Sequence, residues 1–133
     1  MSTQNPADVA ASYFGALSSG DVPAAMALLS ADVVWHQPGK NRFSGDHSGV
    51  GGVGALLGGM MEVSTGTFQL AVTGPSMVNG HMVAVPVRFT GTRADQSMDM
   101  AGIDLLTITE GKITEVHLFS EDGAAEDLFW GRA

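Results

Sequence analysis

The sequence predicts a single α+β domain, with helices first and a curved, mostly antiparallel sheet packed over them. Three observations carry this. Apolar residues recur at helical spacing before residue 63, interrupted by one short strand. Runs of β-branched and aromatic residues separated by turn signals fill residues 67–120. A chain of 133 residues with 44% apolar content fills one core and not two, so residues 1–133 form one domain. A sheet of this kind, curled over helices, makes a cone with an apolar pocket inside.

From Asp8 to Leu17, Val9, Tyr13, Ala16 and Leu17 fall on one helical face. Ser18-Ser19-Gly20 ends that run, and Asp21 with Pro23 starts a short second helix over Ala24 to Leu29. Val33 to Gln37 is a strand stopped by Pro38-Gly39, and the turn-rich stretch from Lys40 to Gly49 is a loop. Val50 to Val63 contains five glycines, which weaken a helix, yet Val53, Leu56, Leu57, Met60 and Met61 keep helical spacing. Four strands follow, over Thr67 to Val72, Met82 to Thr92, Ser97 to Thr109 and Lys112 to Ser120, with Glu110-Gly111 as a tight hairpin turn. Ala124 to Trp130 adds one helical turn ending at Gly131.

Alternation assigns the strand faces. Val83, Val85, Val87 and Phe89 share one side; Met98, Met100, Asp104 and Leu106 share another. Val116, Leu118 and Ser120 oppose Ile113, Glu115, His117 and Phe119. Both sides of the last two strands are therefore partly apolar. A second covered surface follows, most simply a homodimer contact through the outer sheet face.

Composition excludes several classes. Six basic against fourteen acidic residues give a net charge of −8, which disfavours nucleic acid and anionic membrane as partners. Without cysteine there is no disulfide, thiolate or Cys-type zinc chemistry. The start of the chain lacks a signal-peptide pattern and no long apolar run exists, so a soluble cytoplasmic protein is expected. His36, His47, His81 and His117 show no close ligand spacing, and no nucleotide loop is present. Neither a metal nor a cofactor is expected.

Asp104 stands out because Ala-Gly-Ile-Asp-Leu-Leu offers its carboxyl no neighbouring charge. Burial there raises its pKa, and a neutral carboxylic acid donates a hydrogen bond to an oxygen that becomes negative. The plainer alternative is an Asp held by backbone amides. Tyr13, on the inner face of the first helix, either joins Asp104 as a donor or is a core aromatic. Trp35 and Gln37 share one strand face, with His36 on the other. Met60, Phe89, Met100, Leu106 and Leu118 complete the expected pocket lining, which suits a small apolar molecule.

Several pieces in order resemble the ketosteroid-isomerase/SnoaL-like branch of the nuclear transport factor 2-like superfamily. They are Tyr13-Phe14, Ala16 to Asp21, Ala27 to Asp32, Val34-Trp35-His36-Gln37-Pro38-Gly39, Ser44-Gly45 through Gly49, Ile103-Asp104, and Glu110 to Glu115. The resemblance implies the NTF2-like cone. In the isomerases a helix Tyr and a late-strand Asp form an oxyanion hole, and Tyr13 and Asp104 fall on those positions. The isomerase general base is an Asp just before the Pro of the first strand, where this chain has Gln37.

Two functions follow from this. One is an isomerase, cyclase or hydrolase acting on an apolar oxygenated molecule, polyketide- or steroid-like. In it Tyr13 and Asp104 contact the substrate oxygen, and Asp104 itself, Asp46 or His47 is the base. The other is a non-catalytic binding or dimerisation module that keeps the pocket and lacks the base.

Overall fold

The structure, a computed structural model, describes residues 5–132. The first four residues, part of the stretch read above for a targeting signal, lie outside it, as does residue 133. Helix α1 (Pro6–Ser18) starts where the Asn5 side chain accepts from the Asp8 amide at 2.9 Å, and it buries Val9, Ala10, Tyr13 and Phe14. Helix α2 (Val22–Met26) is capped by Asp21 and is shorter than expected, because Leu29 already belongs to strand β1 (Leu29–Gln37). Strand β2 (Gly45–Ser48) runs through the stretch expected to be a loop. Its polar residues carry no alternation, but its backbone pairs antiparallel with β1.

Helix α3 (Gly49–Val63) forms despite its glycines by burying Val53, Leu56 and Met60. Strands β3 (Gln69–Val72), β4 (Met77–Asn79), β5 (Met82–Arg93), β6 (Gln96–Thr109) and β7 (Lys112–Ser120) follow, and helix α4 (Gly123–Trp130) closes the chain. The expected single turn at the end is therefore two turns long.

The strands form one curled, unclosed sheet in the order β2-β1-β7-β6-β5-β3, with β4 also on β5. All pairings are antiparallel except β1 with β7, which brings residues about 80 positions apart into register. Glu110 and Gly111 both take positive φ, 53° and 78°, as a two-residue turn between right-twisted strands requires.

Next to that turn the β6–β7 register shifts: Thr107 faces Glu115, but Ile108 faces Ile113. Thr114 is the extra residue, and its hydroxyl donates to the Thr107 carbonyl at 3.2 Å. The bulge flips Ile113, expected outside with Glu115, into the core beside Val116. Elsewhere alternation holds, and Val83, Val85, Val87, Phe89, Met98, Met100, Asp104 and Leu106 all face inward. On the outer face Ile103 and Phe119 remain exposed. Among the described residues, no helix is long and apolar enough to cross a membrane.

Candidate active site

Between α1, α3 and the concave sheet lies a cavity of about 530 Å³, a size that suits a small organic ligand. Tyr13, Trp35, Gln37, Met60, Phe89 and Leu118 line it together with Asp104. Gly102 gives the floor its shape: a Cβ there would stand 2.6 Å from the Phe119 carbonyl oxygen and 2.7 Å from the Phe89 ring. Only glycine lets β6 approach β7 so closely beneath Phe89.

Two expected lining residues are elsewhere. Leu106 is buried between Val83 and Val116 of the flanking strands, in the solid part of the core. Met100 is buried nearer the start of β6, where it borders a surface groove with Asp122 and Ala125. Alternation gave both the right face. It carries no information on position along the strand, and the cavity occupies only one stretch of β6.

Tyr13 is 1% exposed, and its hydroxyl has no hydrogen-bond partner among the described residues. A buried hydroxyl left unpaired costs about 1–3 kcal/mol, which a ligand oxygen would recover. Burial and the nearby Asp104 charge both hold the phenol well above its ordinary value of 10.0. Asp104 is pushed up from 3.8 to about 7, first by burial and then by the charge of Glu126. It is thus protonated in a large share of molecules near neutrality, when it can donate.

Glu126 was not singled out by the sequence, yet it lines the same cavity and is 5% exposed. Its carboxylate accepts from the Ser120 hydroxyl at 2.5 Å and from the Trp130 indole N–H at 3.3 Å. The Gln37 amide lies at 3.5 Å from it. Gln37 is itself oriented, since its carbonyl accepts from the Trp35 indole N–H at 2.9 Å and its amide nitrogen is left to face Glu126. The Glu126 pKa is raised by burial, and the bonds from Ser120 and Trp130 offset only part of that rise.

Helix α4 holds Glu126 firmly. Phe129 and Trp130 are buried, and Trp130 packs against Phe43 and Phe68. Arg93 donates to the last two helix carbonyls at 2.9 and 2.8 Å. Asp127 accepts from the Lys40 amide and the Asn41 side chain. The signal in the sequence was Glu126, Phe129 and Trp130 at i, i+3, i+4, one face of a helix.

The loop bases named from the sequence are not in the cavity. His47 donates from Nε2 to the Phe43 carbonyl at 2.7 Å, and Asp46 pairs with His36 on the outer face. Gln37 presents a donor to a carboxylate arriving from α4. The expected absence of grouped ligands rested on sequence spacing. The parallel β1–β7 pairing nonetheless sets His36 opposite His117, with Glu115 beside them, on the far side of the sheet.

A profile of the SnoaL-like domain matches residues 10–116. The chain belongs to the SnoaL-like family. An uncharacterized protein of Mycobacterium tuberculosis is 31% identical over 92% of this chain and 94% of its own length. A crystal structure of a Xanthomonas campestris protein of unknown function with a cystatin-like fold is 46% identical. It covers 97% of this chain and all of that one, with a TM-score of 0.93. TerC, crystallized with polyporic acid, shares the fold at 19% identity and a TM-score of 0.80, over 93% of this chain and 97% of its own. The matched stretch of the SnoaL-like domain ends before α4, so Glu126 lies outside it.

Proposed function

We propose that this SnoaL-like protein is a cofactor-independent enzyme of the isomerase or cyclase type, acting on a small apolar oxygenated molecule. The observation that carries the reading is the unpartnered Tyr13 hydroxyl lining an apolar cavity beside a carboxyl pushed up to about 7. Tyr13 and neutral Asp104 donate to the substrate carbonyl oxygen. Glu126, whose carboxylate accepts from Ser120 and Trp130, takes a proton from the adjacent carbon. The C–H electron pair moves into the carbon framework and the carbonyl electrons onto oxygen. The resulting enolate either regains a proton at another carbon or attacks a second carbonyl carbon of the same molecule to close a ring, that carbonyl's oxygen taking up the proton from Glu126. That TerC was co-crystallized with polyporic acid is consistent with a small-molecule site in this fold. A second copy against Ile103 and Phe119 on the outer face belongs to the same proposal.

The test needs no knowledge of the natural substrate. A bicyclic apolar ketone such as 2-tetralone, incubated in D₂O, exchanges its α-protons at a rate read by NMR. The protein should accelerate that exchange, and Glu126→Gln should lower the acceleration at least 100-fold. The second reading, a binding module, rests on Gln37 at the usual base position. If 2-naphthol binds the cavity while ketone exchange stays at the solvent rate, that reading replaces the enzyme.

A further inference from the structure

The outer face of the sheet carries a second constellation, unrelated to the cavity. Trp35 and Val116 face inward, so alternation sends His36, Glu115 and His117 outward from the paired strands β1 and β7. His36 Nε2 lies 2.7 Å from Glu115 Oε2, and His117 Nε2 lies 3.8 Å from the same oxygen. The three ligand atoms all fall within 4.8 Å of one another, and each residue is half-buried. Asp46, on β2, accepts from His36 Nδ1 at 2.7 Å.

We propose that these residues form a zinc-class divalent metal site, with His36 Nε2, Glu115 Oε2 and His117 Nε2 as ligands and water in the fourth position. Tetrahedral zinc, with bonds of about 2.0–2.1 Å, holds its ligand atoms roughly 3.3 Å apart. The present separations bracket that value. The two imidazoles stack at 4.2 Å with 14° between their planes, so binding requires the rings to tilt until both Nε2 lone pairs converge. Asp46 supplies what an isolated pair of histidines lacks. A carboxylate on Nδ1–H fixes the tautomer that leaves Nε2 free to bind, the outer-shell arrangement found behind most metal-bound histidines. Two imidazoles and one carboxylate favour zinc or its neighbours over magnesium and calcium, which seek oxygen-only shells. The sheet presets the site, because direct cross-strand pairing of His36 with His117 is fixed by the backbone.

Calorimetric titration of the tag-free, EDTA-treated protein with zinc chloride tests this. One zinc per chain is expected. His36→Gln and His117→Gln should each weaken binding at least tenfold, and Asp46→Asn should weaken it 10–100-fold. Magnesium chloride at the same concentration should give no binding. The wild-type protein offers a check that does not depend on variants folding. At one equivalent of zinc, the ring signals of His36 and His117 should shift in NMR while those of His47 and His81 stay. Absence of saturable binding overturns the site. So does unchanged affinity in the His36→Gln/His117→Gln double variant, or zinc shifts confined to His47 or His81. None of these results bears on the cavity, whose proposed chemistry uses none of these residues.

Discussion

Strand β6 carries two aspartates on opposite faces of the sheet, and their surroundings differ in kind. Asp99 is exposed and pairs with the Arg88 guanidinium of the neighbouring strand at 2.5 Å. Asp104, five residues on and facing inward, is 6% exposed and has no side-chain partner among the described residues, while its pKa rises to about 7. Tyr13 beside it is equally unpaired. The outer face settles its charges locally, whereas the inner face leaves one hydroxyl and one carboxyl without partners among the described residues, in an apolar cavity. Groups left that way destabilise the empty protein and gain a partner only from a ligand. The face that looks less stable is the one the proposed reaction uses.

Glu126→Gln breaks the inner arrangement hardest. It keeps the shape and the side-chain oxygen yet removes the base, so ketone exchange should fall by about 10²–10⁴. It also removes the charge that raises Asp104, so the Asp104 pKa, followed by carboxyl NMR, should move down. An Asp104 titration identical in both proteins would mean the Glu126 charge does not act on Asp104.

Next in size is Asp104→Asn. The folded protein holds the proton more tightly than the unfolded chain, whose Asp titrates near 3.8. Below that pH both states are protonated and the position costs nothing. Between about 4 and 7 the cost of keeping the group buried grows, and above 7 it is complete. A shift of that size corresponds to about 4 kcal/mol, and coupling to Glu126 spreads part of it, so roughly 2–4 kcal/mol is expected. Asp104→Asn should therefore unfold at a higher temperature than wild type at pH 8 and at the same temperature below pH 4. Equal melting at both pH values would sink the idea of a buried, strained carboxyl. Exchange activity should fall in the same variant while 2-naphthol affinity persists.

Much of this inner face was legible in the sequence. Helix periodicity located Tyr13, strand alternation turned Asp104, Trp35 and Gln37 inward, and Glu110-Gly111 marked its turn. What was not legible needed long-range geometry. Glu126 shares a helical face with Phe129 and Trp130, but that this face, and not the one carrying Asp127, turns into the cavity is settled only by where α4 docks. The bulge at Thr114 breaks period-two reasoning for Ile113. Strand β2 is polar throughout and owes its existence to pairing with β1, not to any apolar pattern of its own. The outer cluster depends on a parallel pairing between strands about 80 residues apart, which no local pattern encodes.

Tyr13→Phe separates stability from function at the inner face. Deleting an unpaired buried hydroxyl leaves no partner stranded, so stability should stay level or rise by about 1 kcal/mol. Affinity for 2-naphthol, read by fluorescence, should fall several-fold at the same time. A loss of stability greater than about 1 kcal/mol would mean the hydroxyl already has a partner in the unliganded protein, and the donor role would fail.

The smallest effect belongs to Asp99→Asn, the outer counterpart of the Asp104 variant. The Arg88–Asp99 pair is roughly half exposed on both sides, with 49% and 62% of the two side chains accessible. Water and salt screen such a pair, and its net worth is about 0–1 kcal/mol. Asp99→Asn should therefore lower stability by less than about 1 kcal/mol, and 1 M salt should erase the difference. The sign is what matters: the same chemical change on one strand should destabilise slightly outside and stabilise clearly inside at pH 8. If chemical denaturation gave both variants the same sign at that pH, the two faces would not differ as their surroundings require.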